Sequence, residues 1–423
     1  MKLVKQKKPQ NHKSVQREIG IKQKENIPTG SDDPYAYFFR VLHRSTNFSD
    51  IHNPNKPSAN ETQSPNCFRQ VQIWGPNVFQ IRPRGIEPCP GLPCGVRLIF
   101  DTNYQTLKNS HAVFPFHLAK WDWSKLINHK PKGQKWIFFS NESPVNTEPH
   151  SVPPQEYRTR AYDYYMTYRS RYAQLYGGYG YYNASKPSVE LNDTRNWASG
   201  RKGKVVWLAQ QCDHVNNRYL HWNRTGFVKE LSRLVDVGIY GKCGKQAPCP
   251  ARHAKREGEN FVTSCSSFLR RFKFYLAFEN SACRDYITEK LWNNAYMNNL
   301  IPIVFGAPRA DYEAVAPPHS LIHVEDFETL QDLADYINLV DRNDRLYNTY
   351  FEWKKYGSVV AFSENMAKWL FEPWNMCQVV NRLLADEELT SEGLPVRQSL
   401  PPLTNWWTNS CRKLEGFPMK IQK

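Results

Sequence analysis

The 423-residue sequence lacks most of the short devices by which a ligand class is read from a chain. It has no Gly-x-Gly-x-x-Gly and no Walker loop, which disfavours binding of dinucleotides or of triphosphates on a P-loop. It has no Cys-x-x-Cys, the spacing of many zinc sites. There is no Asp-x-Asp between apolar residues, the segment with which one class of transferases holds a metal diphosphate. No run approaches the ~20 apolar residues of a membrane span, and the first 33 residues carry no apolar signal core. No internal repeat is visible.

The chain does have ten cysteines and six Asn-x-Ser/Thr sequons, at Asn47, Asn60, Asn141, Asn183, Asn192 and Asn223. Together they point to disulfides rather than metal, and to an oxidising, glycosylating compartment. The polar N-terminus runs against that, so a segment coding for an anchor is expected to be missing from this version of the sequence. A formal charge of +16 and a pI near 9.3 suit an anionic partner. The basic residues are spread along the chain rather than gathered in one stretch, which argues against nucleic acid and leaves a membrane surface, a phosphorylated ligand or another polyanion.

Residues 1–64 read as a disordered basic tail and polar linker. From Cys67, short β-like runs (VQIW, VRLIFD, HAVFPF, QKWIFF) alternate with polar connections, the pattern of an α/β domain over 65–198. The Gly- and Tyr-rich stretch after Tyr172 reads as an irregular connection. A second α/β unit, 199–365, starts at KVVWLAQ and contains the clearest strand–helix–strand signal: KFYLAF, a helix from about 286 to 299, then IPIVF. Ile287, Leu291 and Ala295 would share that helix's buried face. Residues 366–423 read as a tail packing back on the domains.

Three places could carry chemistry. In FENSACRDYITEK, between strand and helix, Asp285 could cap the helix, Tyr286 could reach a ribose or base, Glu289 could accept from ribose hydroxyls and Lys290 could offset phosphate charge. The same residues also fit a solvated first turn. Glu142 in WIFFSNESP follows a strand and could take a proton from a hydroxyl, or could cap a turn. Arg224 in RTGFVKEL opens a helix and could grip a pyrophosphate, or could lie on the surface. His111, His117, His214, His221 and His319 are scattered, with structural or surface roles as their default.

FYLAFENSACRDYITEKLWNNAYMNNLIPIVFG and its continuation resemble the donor-domain signature of the α1,3-fucosyltransferases, glycosyltransferase family 10. GQKWIFFSNESP followed by YDYYMTYRSR resembles the family's acceptor-domain motif, in the same order. The resemblance implies a GT-B fold, with two facing Rossmann-like domains and the site in the cleft between them. It implies inverting transfer of L-fucose from GDP-fucose to N-acetylglucosamine of a glycoprotein glycan, on an N-glycan core or a LacNAc-type antenna, in the Golgi lumen behind a membrane anchor. Glu142 matches the proposed base, Arg224 and Lys290 match the cations at the pyrophosphate, and Asn280, Tyr286 and Glu289 match positions touching nucleotide or fucose. No cofactor is required by this scheme, and non-essential stimulation by a divalent cation is compatible with it. Two departures stand out. EPWNMCQ carries only Cys377 where many animal members have Cys-x-x-Cys, and a longer insert precedes Arg224, with Arg218 as the lesser alternative. A glycan on Asn223 would obstruct the site, so that sequon is expected to be unmodified. A related transferase with another donor or acceptor, or a catalytically silent protein binding glycans or polyanions, is the alternative reading.

Overall fold

The computed structural model describes residues 67–75, 85–116, 122–158, 161–212, 222–249, 261–362, 373–394, 396 and 402–414. The expected N-terminal tail and linker, Asn47, Asn60, His117, His214, Arg218 and His221 lie outside them. The apolar runs of the sequence become strands of two separate parallel sheets. The first joins β1 (Cys67–Trp74), β2 (Cys94–Phe100), β3 (Ala112–Pro115), β4 (Lys135–Ser140), β5 (Tyr164–Thr167) and the short β6 (Leu175–Tyr176) in the order β2-β1-β3-β4-β5-β6. Every pairing in it is parallel.

After β7 (Gly180–Asn183), the second sheet is built from β8 (Gly203–Ala209), β9 (Val237–Gly241), β10 (Phe272–Phe278), β11 (Ile301–Phe305) and β12 (Ile322–His323). Its order is β12-β11-β10-β8-β9, again wholly parallel. Counted from each sheet's own first strand, the second follows the order 2-1-3-4-5 and the first the same order with a sixth strand at its end. In such a sheet the chain leaves the first strand in one direction and returns on its other side. The crevice beyond the carboxyl ends at that reversal is where ligands bind in open α/β folds.

The strands read as continuous apolar runs because both faces are covered. In the second sheet Val205, Trp207, Phe274, Leu276, Ile301 and Ile303 pack on the helices Arg224–Leu231 and Leu330–Arg342, through Phe227, Leu231, Leu333 and Ile337. The alternate residues Val206, Tyr275, Ala277 and Val304 face Leu269, Leu291, Trp292 and Ala295. One face of the first sheet is covered by Val379, Val380 and Leu383 of the helix Cys377–Ser391, the other by Leu107, Leu126, Trp406 and Trp407.

All ten cysteines are paired: Cys67–Cys94, Cys89–Cys377, Cys212–Cys243, Cys249–Cys265 and Cys283–Cys411. The lone cysteine of EPWNMCQ is therefore tied to the first sheet's β1–β2 connection. The Gly- and Tyr-rich stretch expected to be irregular contributes β6 and β7, and β7 pairs antiparallel with β13 (Ser358–Ala361). A pairing across that sequence distance leaves no local signature.

The helix expected over 286–299 is the other correction. Residues 286–288 are not helical, Lys290–Ala295 forms a π-helix and Tyr296–Asn298 a 3-10 turn. Asp285 caps nothing: its backbone is left-handed (φ 60°), its N–H donates to Asp311 and its carboxylate accepts from Arg169 Nε at 2.8 Å. The Glu279 carboxylate takes the Thr288 N–H at 2.8 Å, which starts the helix later. Asn298 Nδ2 then donates to the carbonyls of Asn293 and Asn294 in the widened turn.

Candidate functional site

The reversal point of the second sheet lies between β8 and β10, and three of the sequence-derived residues gather at their carboxyl ends. Arg224 is the first residue of its helix, whose N-cap Asn223 accepts from the Gly226 N–H at 2.8 Å. Its guanidinium spans the crevice, Nη1 donating to Phe278 O at 2.8 Å and Nη2 to Gln211 O at 3.0 Å. It is therefore buried rather than a surface arginine. Trp222 Nε1 adds a bond to Glu279 O at 2.9 Å, so the segment entering this helix clasps the end of β10.

Immediately after β10, Glu279 is wholly buried. Its carboxylate accepts from Thr288 N–H, Thr288 Oγ1 and, at 3.0 Å, Lys290 Nζ. Gly306 makes room for it: a Cβ there would stand 2.6 Å from the Glu279 Cβ. Lys290 also donates to Thr288 Oγ1 at 2.7 Å and to Glu289 at 3.2 Å. Burial alone would lower the Lys290 pKa, but the charges of Glu279 and Glu289 outweigh it and the nearby Arg224, and hold it above the ordinary lysine value. Burial pushes the Glu279 carboxyl up, with Lys290 pulling the other way. The lysine is a cation at neutral pH, fixed in direction by three oxygen partners.

Glu142 follows β4, and its carboxylate is exposed, accepting from the Tyr286 hydroxyl at 3.0 Å. Ser143 beyond it meets Ser281 at 2.9 Å between hydroxyl oxygens, and Arg169, after β5, pairs with Asp285. The loops after β4 and β5 thus touch the loop after β10. Tyr286 is fully buried, its ring 5.2 Å from that of Tyr168. Burial pushes the phenols of Tyr179 and Tyr286 well up, and the charges of Glu142, Glu279 and Glu289 add to it in both. Of the three, Glu142 is the one in direct contact, through the Tyr286 hydroxyl. Asn280 is half-buried next to Glu279.

The geometry brings Glu142 to Tyr286, and Glu289 and Lys290 to Glu279, with Arg224 close enough to oppose the charge on Lys290. Sequence reasoning counted Glu279 among the charged residues of FENSACRDYITEK without an individual role, and assigned none to Trp222, Tyr168 or Tyr179. Glu279 had a usable signal, as the first residue past an apolar strand in the strand–helix–strand unit. The tyrosines had none.

Two family models match: "Fucosyltransferase, N-terminal" over residues 71–180 and "Glycosyltransferase family 10 (fucosyltransferase) C-term" over 198–406. The chain is 31% identical over 291 residues to alpha-(1,3)-fucosyltransferase 4 of Bos taurus, covering 68% of this chain and 64% of that one. It is 34% identical over 285 residues to glycoprotein 3-alpha-L-fucosyltransferase A of Drosophila melanogaster, covering 66% and 48%. With the 4-galactosyl-N-acetylglucosaminide 3-alpha-L-fucosyltransferase of Gorilla gorilla gorilla it shares 30% identity over 339 residues, 77% of this chain and 79% of that one. The chain spans about half the length of the fucosyltransferase 4 relatives, between 43% and 64%. A crystal structure of an alpha1,3-fucosyltransferase with GDP-fucose aligns with 80% of this chain and 97% of its own at 16% identity, with a TM-score of 0.41, too slight a likeness to bear on the site. By its family models and its relatives, the chain belongs to glycosyltransferase family 10, the fucosyltransferases.

Proposed function

We propose that the protein is an inverting α1,3-fucosyltransferase that moves L-fucose from GDP-fucose to a hydroxyl of N-acetylglucosamine in a glycoprotein glycan. The observation that carries this reading is the pair of fixed cations, the buried Arg224 and the half-buried Lys290, at the reversal point of the second sheet, in a chain of this family. In this reading the two sheets are the cores of the two facing Rossmann-like domains of a GT-B enzyme, 65–198 for the acceptor and 199–365 for the donor. The contacts between their carboxyl-terminal loops support it.

Cleavage of the fucose–phosphate bond leaves negative charge on the diphosphate. Arg224 and Lys290, already oriented by carbonyls and carboxylates, would stabilise that charge without reorganising as it forms. Glu142 would take the proton of the attacking hydroxyl from the opposite side, and Tyr286 would hold its carboxylate. Inversion needs a single base, unlike the carboxylate pair of a glycosidase. Asn280 and Glu289, partly accessible beside Lys290, would bind nucleotide or fucose. Family membership, five disulfides and the sequons support action in the Golgi lumen. No helix of the described residues is long and apolar enough to cross a membrane.

The test is transfer from labelled GDP-fucose to a panel of N-glycan core and LacNAc acceptors, with Glu142→Gln run beside the wild type. Wild-type transfer that the substitution lowers by about 10² to 10⁴, with GDP-fucose affinity intact, is the expected outcome. No transfer to any acceptor by the folded protein would reject the reading.

A further inference from the structure

Beside the Asp285–Ile287 loop lies a cavity of about 300 Å³ whose wall is aromatic: Tyr168, Tyr176, Tyr179, Tyr181, Tyr182 and Trp292. Its rings are held by their polar ends. The hydroxyls of Tyr176, Tyr179 and Tyr182 donate to the carbonyls of Gly180, Asn141 and Trp353 at 3.0, 2.7 and 3.3 Å. The wall is also tightly packed, since a Cβ on Gly180 would stand 2.7 Å from the Trp292 ring.

Beside the Ser170 and Tyr181 hydroxyls, two polar residues of the lining stand out. The Tyr168 hydroxyl is buried without a hydrogen-bond partner among the described residues, although the residue is only 7% exposed. An unpaired buried hydroxyl is costly, and a bound partner would remove that cost. The Asp285 side chain, 28% exposed, keeps accepting capacity beyond its bond from Arg169. Its negative charge is the wrong sign for a phosphate, and neither Arg224 nor Lys290 lines the cavity, so the nucleotide does not belong there. Glu142 does not line it either, so the hydroxyl that reacts lies outside. Both loops of the site nevertheless reach it, Asn141 through its bond from Tyr179 and Tyr286 through its ring contact with Tyr168.

Fixed aromatic faces with few polar groups suit a ligand that is apolar on its faces and hydroxylated at its edges. We propose that this cavity seats a neutral pyranose ring of the acceptor glycan other than the one that is fucosylated, with the Tyr168 hydroxyl and the Asp285 carboxylate binding its hydroxyls. The proposal rests on the transferase reading for the identity of the acceptor.

The test uses the full chain, Tyr168→Phe and Ala314→Trp, the second placing an indole at the exposed side of the cavity. Three probes are compared: methyl β-N-acetylglucosaminide, N,N′-diacetylchitobiose and N-acetyllactosamine. For the better disaccharide, the ratio of its kcat/KM to that of the single sugar should fall about fivefold in Tyr168→Phe. It should fall further in Ala314→Trp, in both cases through acceptor KM rather than the KM of GDP-fucose. An unchanged ratio in both variants, each folded by circular dichroism, overturns the proposal. Saturation-transfer NMR reads disaccharide binding without turnover. Binding that Ala314→Trp abolishes, in a wild type that transfers nothing, would keep the cavity and reject the transferase. Transfer with an unaltered ratio would do the reverse, and neither binding nor transfer would reject both.

Discussion

Two lysines of this molecule, Lys290 half-buried and Lys354 buried, end up on opposite sides of the ordinary lysine pKa. Lys290, at the mouth of the second sheet, has two carboxylates within 3.2 Å and is held above it. Lys354, 8% exposed, lies over the rings of Trp197 and Trp353 at 5.2 and 4.5 Å, and burial, with Arg195 adding to it, brings its pKa down to about 8. Ring faces attract an ammonium, but more weakly than a desolvated carboxylate does. What holds a withdrawn lysine's pKa up is the anion, and of these two lysines it is Lys290 that has one. The site's positive charge therefore depends on Glu279 as much as on Lys290.

The largest expected effect comes from deleting the cation. Lys290→Met should lower transfer by about 10² to 10³ in kcat. It should also lower stability by about 3–5 kcal/mol, because Glu279 stays buried without its partner; calorimetry would show the second effect, and an unchanged melting point would mean the pair is not coupled. Removing one anion instead moves Lys290 toward Lys354. Glu279→Gln leaves Glu289 as the remaining carboxylate on Lys290, so it should lower the Lys290 pKa and move the alkaline fall of transfer to lower pH than in the wild type. Identical pH profiles for the two proteins would break the comparison. The smallest effect is on the other lysine. Because its folded pKa lies below its unfolded one, the unfolded chain holds more protons between about pH 8 and 10.5, and stability rises with pH across that window. Lys354→Met should flatten that rise and add about 1–2 kcal/mol at pH 7, leaving transfer unchanged.

The strands were legible because a parallel sheet covered on both faces writes itself as uninterrupted apolar runs, as in FKFYLAF and IPIVF. The site was legible in outline for a topological reason: whatever follows such a strand stands at its carboxyl end, and Glu142 and the Glu289–Lys290 pair both do. What could not be read was set by contacts distant in sequence. The Glu279 carboxylate delays the helix by binding the Thr288 N–H, and the Tyr286 phenol turns to Glu142 across the two sheets. Nothing in the spacing of Tyr168, Tyr179 and Tyr182 announces that they wall a single cavity, since the partners that fix their rings lie on three other segments. The cysteine pairing is of the same kind.

The helix Cys377–Ser391 covers one face of the first sheet and is locked to it by Cys89–Cys377, by ion pairing of Arg69 with Glu387, and by the bond from Tyr164 to Asp386. During synthesis that face is made roughly 300 residues before its cover, so the earliest-born sheet is the last to be sealed, while the second sheet can close around its own helices in between. A ribosome stalled beyond residue 365 but short of 391 holds a chain that has every strand of the second sheet, while its first sheet still shows an apolar wall to its surroundings. A premature stop there removes part of the amino-terminal half's core, and with it the support of the loop that presents Glu142.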